Sequence, residues 1–318
     1  MTSSQQWMPS ASIESIRQRA RIVAAIRSFF TQKDYLEVET PIMAQFGITD
    51  VYLSNIKAYF RNKPYCLQTS PEYHMKRLLA AGSGPIFQLA RVFRDDELGR
   101  WHNPEFTLLE WYQLGIDHHA LIAEMDELLQ RVLDCLPMVK KTYQHLFMQV
   151  CDLDPLNATI AACQNCLARF DLLGVLDDDE QDRDQYLFLL LSHVIEPALA
   201  KESAPVAIVD FPPSQASLAK ISNGVAERFE VYYRGVELAN GFHELTDPAL
   251  QLARFEEDNA IRKTRGLEQV ELDRYLLQAL DHGLPACSGV ALGLDRLLAL
   301  AFDQPSISSC ISFDFSRV

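Results

Sequence analysis

Residues 91–112 read RVFRDDELGRWHNPEFTLLEWY. At both ends apolar residues (Val92 and Phe93, then Phe106, Leu108 and Trp111) alternate with polar or charged ones, the period of β-strands. Between the ends lie Arg94, Asp95, Asp96, Glu97, Arg100, His102, Asn103 and Glu105. A hairpin needs a turn, and not that density of charge. The Arg94 guanidinium offers five donors in a planar fork and suits two anions at once. An aromatic ring on the same surface, Phe106, can stack on a nucleobase. Alone, a charged hairpin is more often solvated decoration, so the rest of the chain has to decide.

Apolar residues at three- and four-residue steps (Ile13, Ile16, Ala20, Val23, Ile26, Phe30) predict a helix over 13–33. A strand over 35–43 follows and is stopped at Pro41. Residues 60–82 give a short strand and then a helix, with Thr69 or Ser70 as cap and Pro71 in the first turn. A helix is expected over 117–135 and a buried strand over 205–213. Residues 228–245 read as two strands around a turn at Arg234–Gly235. Helices follow at 248–264 and 270–282, and ACSGVALGLDRLLALAF is a strand running into a helix. Residues 140–200 are mainly helical and carry the acidic run LDDDEQDRD, read as a solvated face or loop. Helices flanking a largely antiparallel sheet imply the α+β class. The expected organisation is one catalytic-type domain over 1–318 with a mainly helical insertion at about 140–200.

A formal net charge of −14 argues against non-specific nucleic-acid binding, which needs counterion-releasing Lys and Arg. The longest apolar stretch, residues 186–200, is interrupted by His193 and Glu196, and the first thirty residues do not resemble a signal peptide. Seven scattered cysteines read as reduced thiols of a cytoplasmic protein. Cys163 and Cys166 form a C-x-x-C without a second pair at zinc spacing, and are read as helix thiols.

Two more constellations carry chemistry. In SGVALGLDRLL, Gly289 and Gly293 permit close backbone approach, and Asp295 and Arg296 open a helix. An arginine there is misplaced for helix stability but well placed for a phosphate. In FEVYYRGVELANGFHEL, Glu230 and Glu237 lie seven apart across a turn. If both point inward they suit a hard cation such as magnesium on nucleotide phosphates. Exposed strand carboxylates are the competing reading. Asn240 and Glu244 continue the run, and buried acids there suit an ammonium group.

Three separated motifs resemble those of the class II aminoacyl-tRNA synthetases in order and kind: KDYLEVETPIM, FRDDE…HNPEFTLLEWY and GVALGLDR. TSPEYHMKRLL, HNPEFT, ELANGFHEL and HGLP…GLDRL are close to the lysyl branch, and the resemblance spans residues 13–303. It implies that Arg94 bridges the substrate carboxylate and the ATP α-phosphate, and that Arg296 holds the γ-phosphate. Phe106 would stack on adenine with His102 and Asn103 nearby; no nucleotide role falls to residue 96. Glu230 and Glu237 would carry Mg2+. Glu72 would face the substrate amine near its carboxylate. Glu110, Tyr112, Asn240 and Glu244 would line the side-chain pocket. The first motif implies a homodimer.

Two departures redirect the function. Only about a dozen residues precede the first helix, where the lysyl branch carries an anticodon-binding barrel. Ala291 stands where the third motif usually has glycine, and its methyl would change which amine position fits. Trp101, where an arginine is usual, is a smaller departure, with Arg100 as its substitute. A lysyl-type core with these departures resembles a paralogous branch of the family, and that resemblance implies activation of lysine or (R)-β-lysine and transfer to a lysine side chain of translation elongation factor P. Neither tRNA nor a membrane is expected as a partner. Lysylation of tRNA or another small acceptor in trans, and a non-catalytic regulatory paralogue, are the competing readings.

Overall fold

The computed structural model describes residues 6–95, 98–177 and 179–318. Asp96 and Glu97 of the charged loop and Asp178 of the acidic run lie outside the described residues. The chain divides into two compact units: Met1–Asp117 with Arg131–Leu133 and Leu245–Val318, and His118–Gln130 with Asp134–Glu244.

The first unit begins with α1 (Ile13–Gln32), which Ser12 caps by accepting from the Ser15 N–H. The strand expected over 35–43 is reduced to β1 (Leu36–Glu37) and β2 (Met43–Ala44), because the chain leaves the ladder around Pro41. A hairpin follows, β3 (Lys57–Phe60) and β4 (Lys63–Leu67), with β2 on its other edge. Next come α2 (Glu72–Ala80), β5 (Ile86–Phe93) and β6 (Glu105–Leu114). Later parts of the chain complete the unit: α8 (Pro248–Thr264), α9 (Arg274–Gly283), β12 (Cys287–Gly293) and α10 (Leu294–Ala301). Strand β1 runs parallel to β5, while β5–β6 and β6–β12 are antiparallel.

Alternation decides what each face of this sheet does. Phe87 and Trp111, paired across β5 and β6, point to the side of α1, where Phe30 stacks on Phe87 at 4.6 Å and meets Trp111 at 5.3 Å. The residues one step away, Gln88, Ala90 and Val92 on β5 and Phe106, Leu108 and Glu110 on β6, are thereby turned to the other face.

The second unit holds α3 (His118–Leu133, through Gln130), β7 (Val139–Thr142), α4 (Tyr143–Cys151), α5 (Ile160–Arg169), α6 (Arg183–Leu190) and α7 (Glu196–Leu199). A π-helical turn, Leu191–Ile195, joins α6 to α7. Four strands follow: β8 (Val206–Phe211), β9 (Ile221–Ser222), β10 (Val225–Tyr233) and β11 (Val236–His243). Strands β7 and β8 are parallel, and β8–β10, β9–β10 and β10–β11 are antiparallel. Helices α4 to α6 bury Tyr143, Phe147 and Leu187 with Val206, Ile208, Phe211 and Tyr232 of the strands. Cys163 and Cys166 lie buried on α5, and burial pushes the Cys163 thiol up to about 11. No helix among the described residues is long and apolar enough to cross a membrane.

On α8, Asp258 accepts a hydrogen bond from the Thr49 hydroxyl at 2.7 Å, and burial raises its carboxyl to about 6. A carboxyl whose folded pKa lies above its unfolded one binds its proton more tightly when folded. Its stabilising contribution is therefore full below the ordinary carboxylate pKa and is lost as pH rises through about 6. Asp258→Asn keeps an acceptor for Thr49 and removes this loss. It is expected to stabilise the protein by roughly 1–2 kcal/mol at pH 8, after allowance for solvent screening, and by nothing at pH 4. Thermal unfolding of both proteins at the two pH values checks it.

Candidate active site

In the first unit the β5–β6–β12 register assembles one polar face. Glu110 lies directly across from Gln88 on one side and Ala291 on the other; Tyr112 faces Gly289 and Leu108 faces Gly293. Ala90, Val92 and Leu108 form an apolar floor against which Phe106 and Ala291 pack. Glu110 is 1% exposed. Its Oε1 accepts from the Tyr112 hydroxyl at 2.7 Å and its Oε2 from the Ser70 hydroxyl at 2.8 Å. Both donors are neutral, so the hydrogen bonds orient the carboxylate without cancelling its charge.

Ser70 joins this carboxylate to α2. Its Oγ also accepts the Glu72 N–H at 3.0 Å, but the N-cap of α2 is Pro71 and not Thr69 or Ser70, because the helix starts one residue later than expected, at Glu72. Glu72 lies next to Ser70 along a cavity that also borders Gln68, Thr69, His74 and Asp273. Glu72 Oε1 accepts from Lys76 Nζ at 2.7 Å, an i,i+4 pair in which the lysine is fully buried. The ammonium of Lys76 fixes the Glu72 side chain at the mouth of α2.

Arg94 leaves β5 with its N–H on the Pro104 carbonyl, and its guanidinium covers the Phe106 ring at 5.1 Å. Arg296, in the first turn of α10, donates from Nε to the Trp101 carbonyl at 3.1 Å, and its Nη2 lies 2.8 Å from His102 Nε2. The second and third motifs are thus bonded to one another. Asn103 is spent on the backbone: Nδ2 donates to the Glu105 carbonyl at 2.6 Å and Oδ1 accepts the Phe315 N–H at 2.9 Å. Arg100 donates to the Pro305 carbonyl and lies over the Trp101 ring.

The second unit carries the other candidates on the β10–β11 hairpin. Its turn is at Arg234–Gly235, both left-handed (φ 50° and 74°), as a tight hairpin requires. Glu230 lies across from Asn240 and Tyr232 across from Glu237, so the four side chains share a face. Glu230 is 6% exposed. It accepts from the Tyr232 hydroxyl at 2.7 Å and from Arg228 Nη2. Burial raises its carboxyl above the usual value; Arg228 opposes this and Glu237 adds to it. Two carboxylates close enough to oppose each other's ionisation, one of them dehydrated, are an arrangement that a hard divalent cation relieves, so the pair fits magnesium. Asn240 Oδ1 is buried without a hydrogen-bond partner among the described residues, and Glu244 is buried just past the end of β11.

Sequence patterning does not reveal Arg19, Ser70 as a carboxylate partner, Lys76, Arg228 or Tyr232. Only the i,i+4 spacing of Glu72 and Lys76 offers a signal. Arg19 reads as one of three arginines interrupting an amphipathic helix, yet its Nη1 lies 2.5 Å from Asp295 Oδ1 and its Nη2 donates to the Thr107 hydroxyl at 3.0 Å. Asp295 is 2% exposed, and its Oδ2 accepts the Thr107 backbone N–H at 2.7 Å.

The family model of class II tRNA synthetases (D, K and N) matches residues 6–317. The chain belongs to that family. Among its relatives is a protein of Pasteurella multocida (strain Pm70) named elongation factor P--(R)-beta-lysine ligase. It is 51% identical over 322 residues, which cover 98% of either chain. Proteins of Salmonella gallinarum and Salmonella typhi with the same name are also 51% identical, over 326 residues and the whole of both chains.

Removing the Asp295 carboxylate takes away the counter-charge of Arg19 and the acceptor of the Thr107 N–H together. Asp295→Ala is expected to cost about 3–5 kcal/mol, and Asp295→Asn, which keeps an acceptor for Thr107, distinctly less. Urea unfolding of the two variants measures both.

Proposed function

We propose that the chain activates lysine, with (R)-β-lysine preferred, at the expense of ATP, and transfers it to a lysine side chain of elongation factor P. The observation that carries this reading is the register that sets Ala291 directly across from Glu110. The one pocket position that departs from the glycine of the synthetases stands beside the carboxylate that the family resemblance assigns to the substrate's distal ammonium. A methyl there moves the amine by about a bond length while the carboxylate end stays fixed. The names of the relatives at 51% identity point to the same amino acid and the same acceptor.

In the first step a substrate carboxylate oxygen attacks the ATP α-phosphorus, and the bond to the bridging oxygen breaks to release pyrophosphate. Arg94 lies between these two anions and offsets their repulsion as they meet. Arg296, held by Trp101 and His102, takes the γ-phosphate, and Phe106 takes the adenine once the Arg94 guanidinium turns from its ring to the phosphate. Glu110, oriented by Tyr112 and Ser70, pairs with the distal ammonium, since a buried ammonium without a counter-charge is too costly. Glu72, fixed by Lys76, meets the amine nearer the carboxylate. Glu230 and Glu237 would hold magnesium, which supplies charge neutralisation on the phosphates. In the second step the acceptor lysine nitrogen attacks the acyl carbon of the adenylate, the bond to the phosphate oxygen breaks, AMP leaves, and the nitrogen loses a proton.

Leu36, Ile42 and Met43, exposed large hydrophobics of the first motif, support a homodimer as the working form. Reduced buried thiols support a cytoplasmic location. Transfer to tRNA is the second reading, and the anionic chain disfavours it.

ATP–pyrophosphate exchange with α-lysine and with (R)-β-lysine, followed by mass spectrometry of added elongation factor P and tRNA, tests the proposal. Faster exchange with β-lysine and a mass gain on one lysine of the factor are expected. Exchange with α-lysine and charging of tRNA alone would overturn it. Arg94→Ala is expected to lower exchange by about 10²–10³-fold. Ala291→Gly is expected to shift the ratio of exchange rates towards α-lysine by about tenfold or more, without loss of ATP binding.

A further inference from the structure

The β8–β10–β11 sheet of the second unit has a second face, and that face carries a different set of ligand-type side chains. Arg228 and Glu230 lie on the face of the helical core, Glu230 with Glu237; Glu227, between Ala226 and Arg228 on β10, faces the other way and bonds His243 of β11. His118, the first residue of α3, is buried at the same place. One ligand atom from each of His118, Glu227 and His243 lies within 4.8 Å of the others. We infer that these three side chains form a binding site for a zinc-class divalent cation, distinct from the magnesium-type carboxylates on the opposite face.

Three features of the surroundings are those of a metal site. The first is orientation of the carboxylate. Ser222 donates its hydroxyl to Glu227 Oε1, leaving Oε2 directed at the imidazole of His243. The second is a carboxylate beside the buried ring. Asp210 Oδ1 lies 3.9 Å from His118 Nε2, longer than a hydrogen bond and close enough for its charge to bias the ring towards a cationic environment. The third is the backbone that delivers Asp210. Asp210 adopts φ 62° one residue before the end of β8, opposite a register shift in β10 between Ala226 and Phe229. This left-handed residue breaks the alternation, so Phe211 rejoins Val206 and Ile208 in the helical core while Asp210 is turned towards His118. His119 stacks on His118 with ring centroids 4.1 Å apart, and forms with His118 and Asp210 a second group of ligand-type atoms within the same 4.8 Å span.

Two imidazoles and a carboxylate select borderline cations over magnesium or calcium, and three protein ligands leave a fourth tetrahedral position for water. The cation would replace the Glu227–His243 hydrogen bond and tie the start of α3 to β10 and β11. Those are the strands whose other face presents Glu230, Glu237 and Asn240.

The test uses the full chain, stripped of metal by a chelator, with Zn2+ and Co2+ alone as probes. The expected results are one Zn2+ bound per chain by mass spectrometry under native conditions, a rise in the unfolding temperature on adding Zn2+, and intense visible d–d bands with Co2+. His243→Gln and Glu227→Gln should each weaken Zn2+ binding by about 10–100-fold, and Asp210→Asn, by removing the charge beside the ring of His118, by a smaller factor. Unfolding of the metal-free variants at an unchanged temperature shows that they fold, and His118→Gln is read only if it passes that check. Absence of binding by the metal-free wild type would overturn the site. So would thiolate charge-transfer bands with Co2+, which assign the metal to cysteines, or binding that neither His243→Gln nor Glu227→Gln changes.

Discussion

One dehydrated carboxylate fixes the candidate nucleotide site. Asp295 receives the guanidinium of Arg19 on one oxygen and the backbone N–H of Thr107 on the other, and so draws α1, β6 and α10 to a single point. Arg296 is the next residue along α10, and Phe106 the residue before Thr107 on β6. Their positions are set by a neighbour buried on the opposite side. A charge removed from water must be satisfied at close range, and that requirement makes the arrangement rigid enough to present Arg296 and the loop around His102 to a nucleotide.

The same economy recurs in both units. Glu110, Glu230, Glu244 and Asp295 are all buried, and the first two are held by a tyrosine two residues along the same strand, Tyr112 and Tyr232. A strand places residues i and i+2 on one face, so a Glu-x-Tyr step orients its own carboxylate. The hydroxyl is a neutral donor and orients the carboxylate; at Glu230 the guanidinium of Arg228 supplies the counter-charge as well.

Much of this was legible in residue order. The strand period around the charged loop, the Arg234–Gly235 turn and the strand-to-helix joint at Gly293 all stand where periodicity and turn chemistry put them. The motifs give the family because their residue types and order are jointly specific. The hairpin of β3 and β4 was legible only in part, since Pro64 and the short apolar runs carry a weak signal. Residues 35–43 keep only two short strands, because an apolar alternation says nothing about whether a neighbouring strand is there to pair with it.

The sequence by itself determined the fold class and the motifs, because these follow from local period and from residue type. It did not determine which side chains share a face or which donors hold them. Arg19 meets Asp295 across 276 positions. The register that sets Ala291 opposite Glu110, and the left-handed Asp210 that reverses alternation in β8, depend on pairing between distant strands. Side-chain direction in a sheet flips with every one-residue shift, so only the tertiary structure could decide which carboxylates line the face with Glu230 and which gather with the histidines behind it.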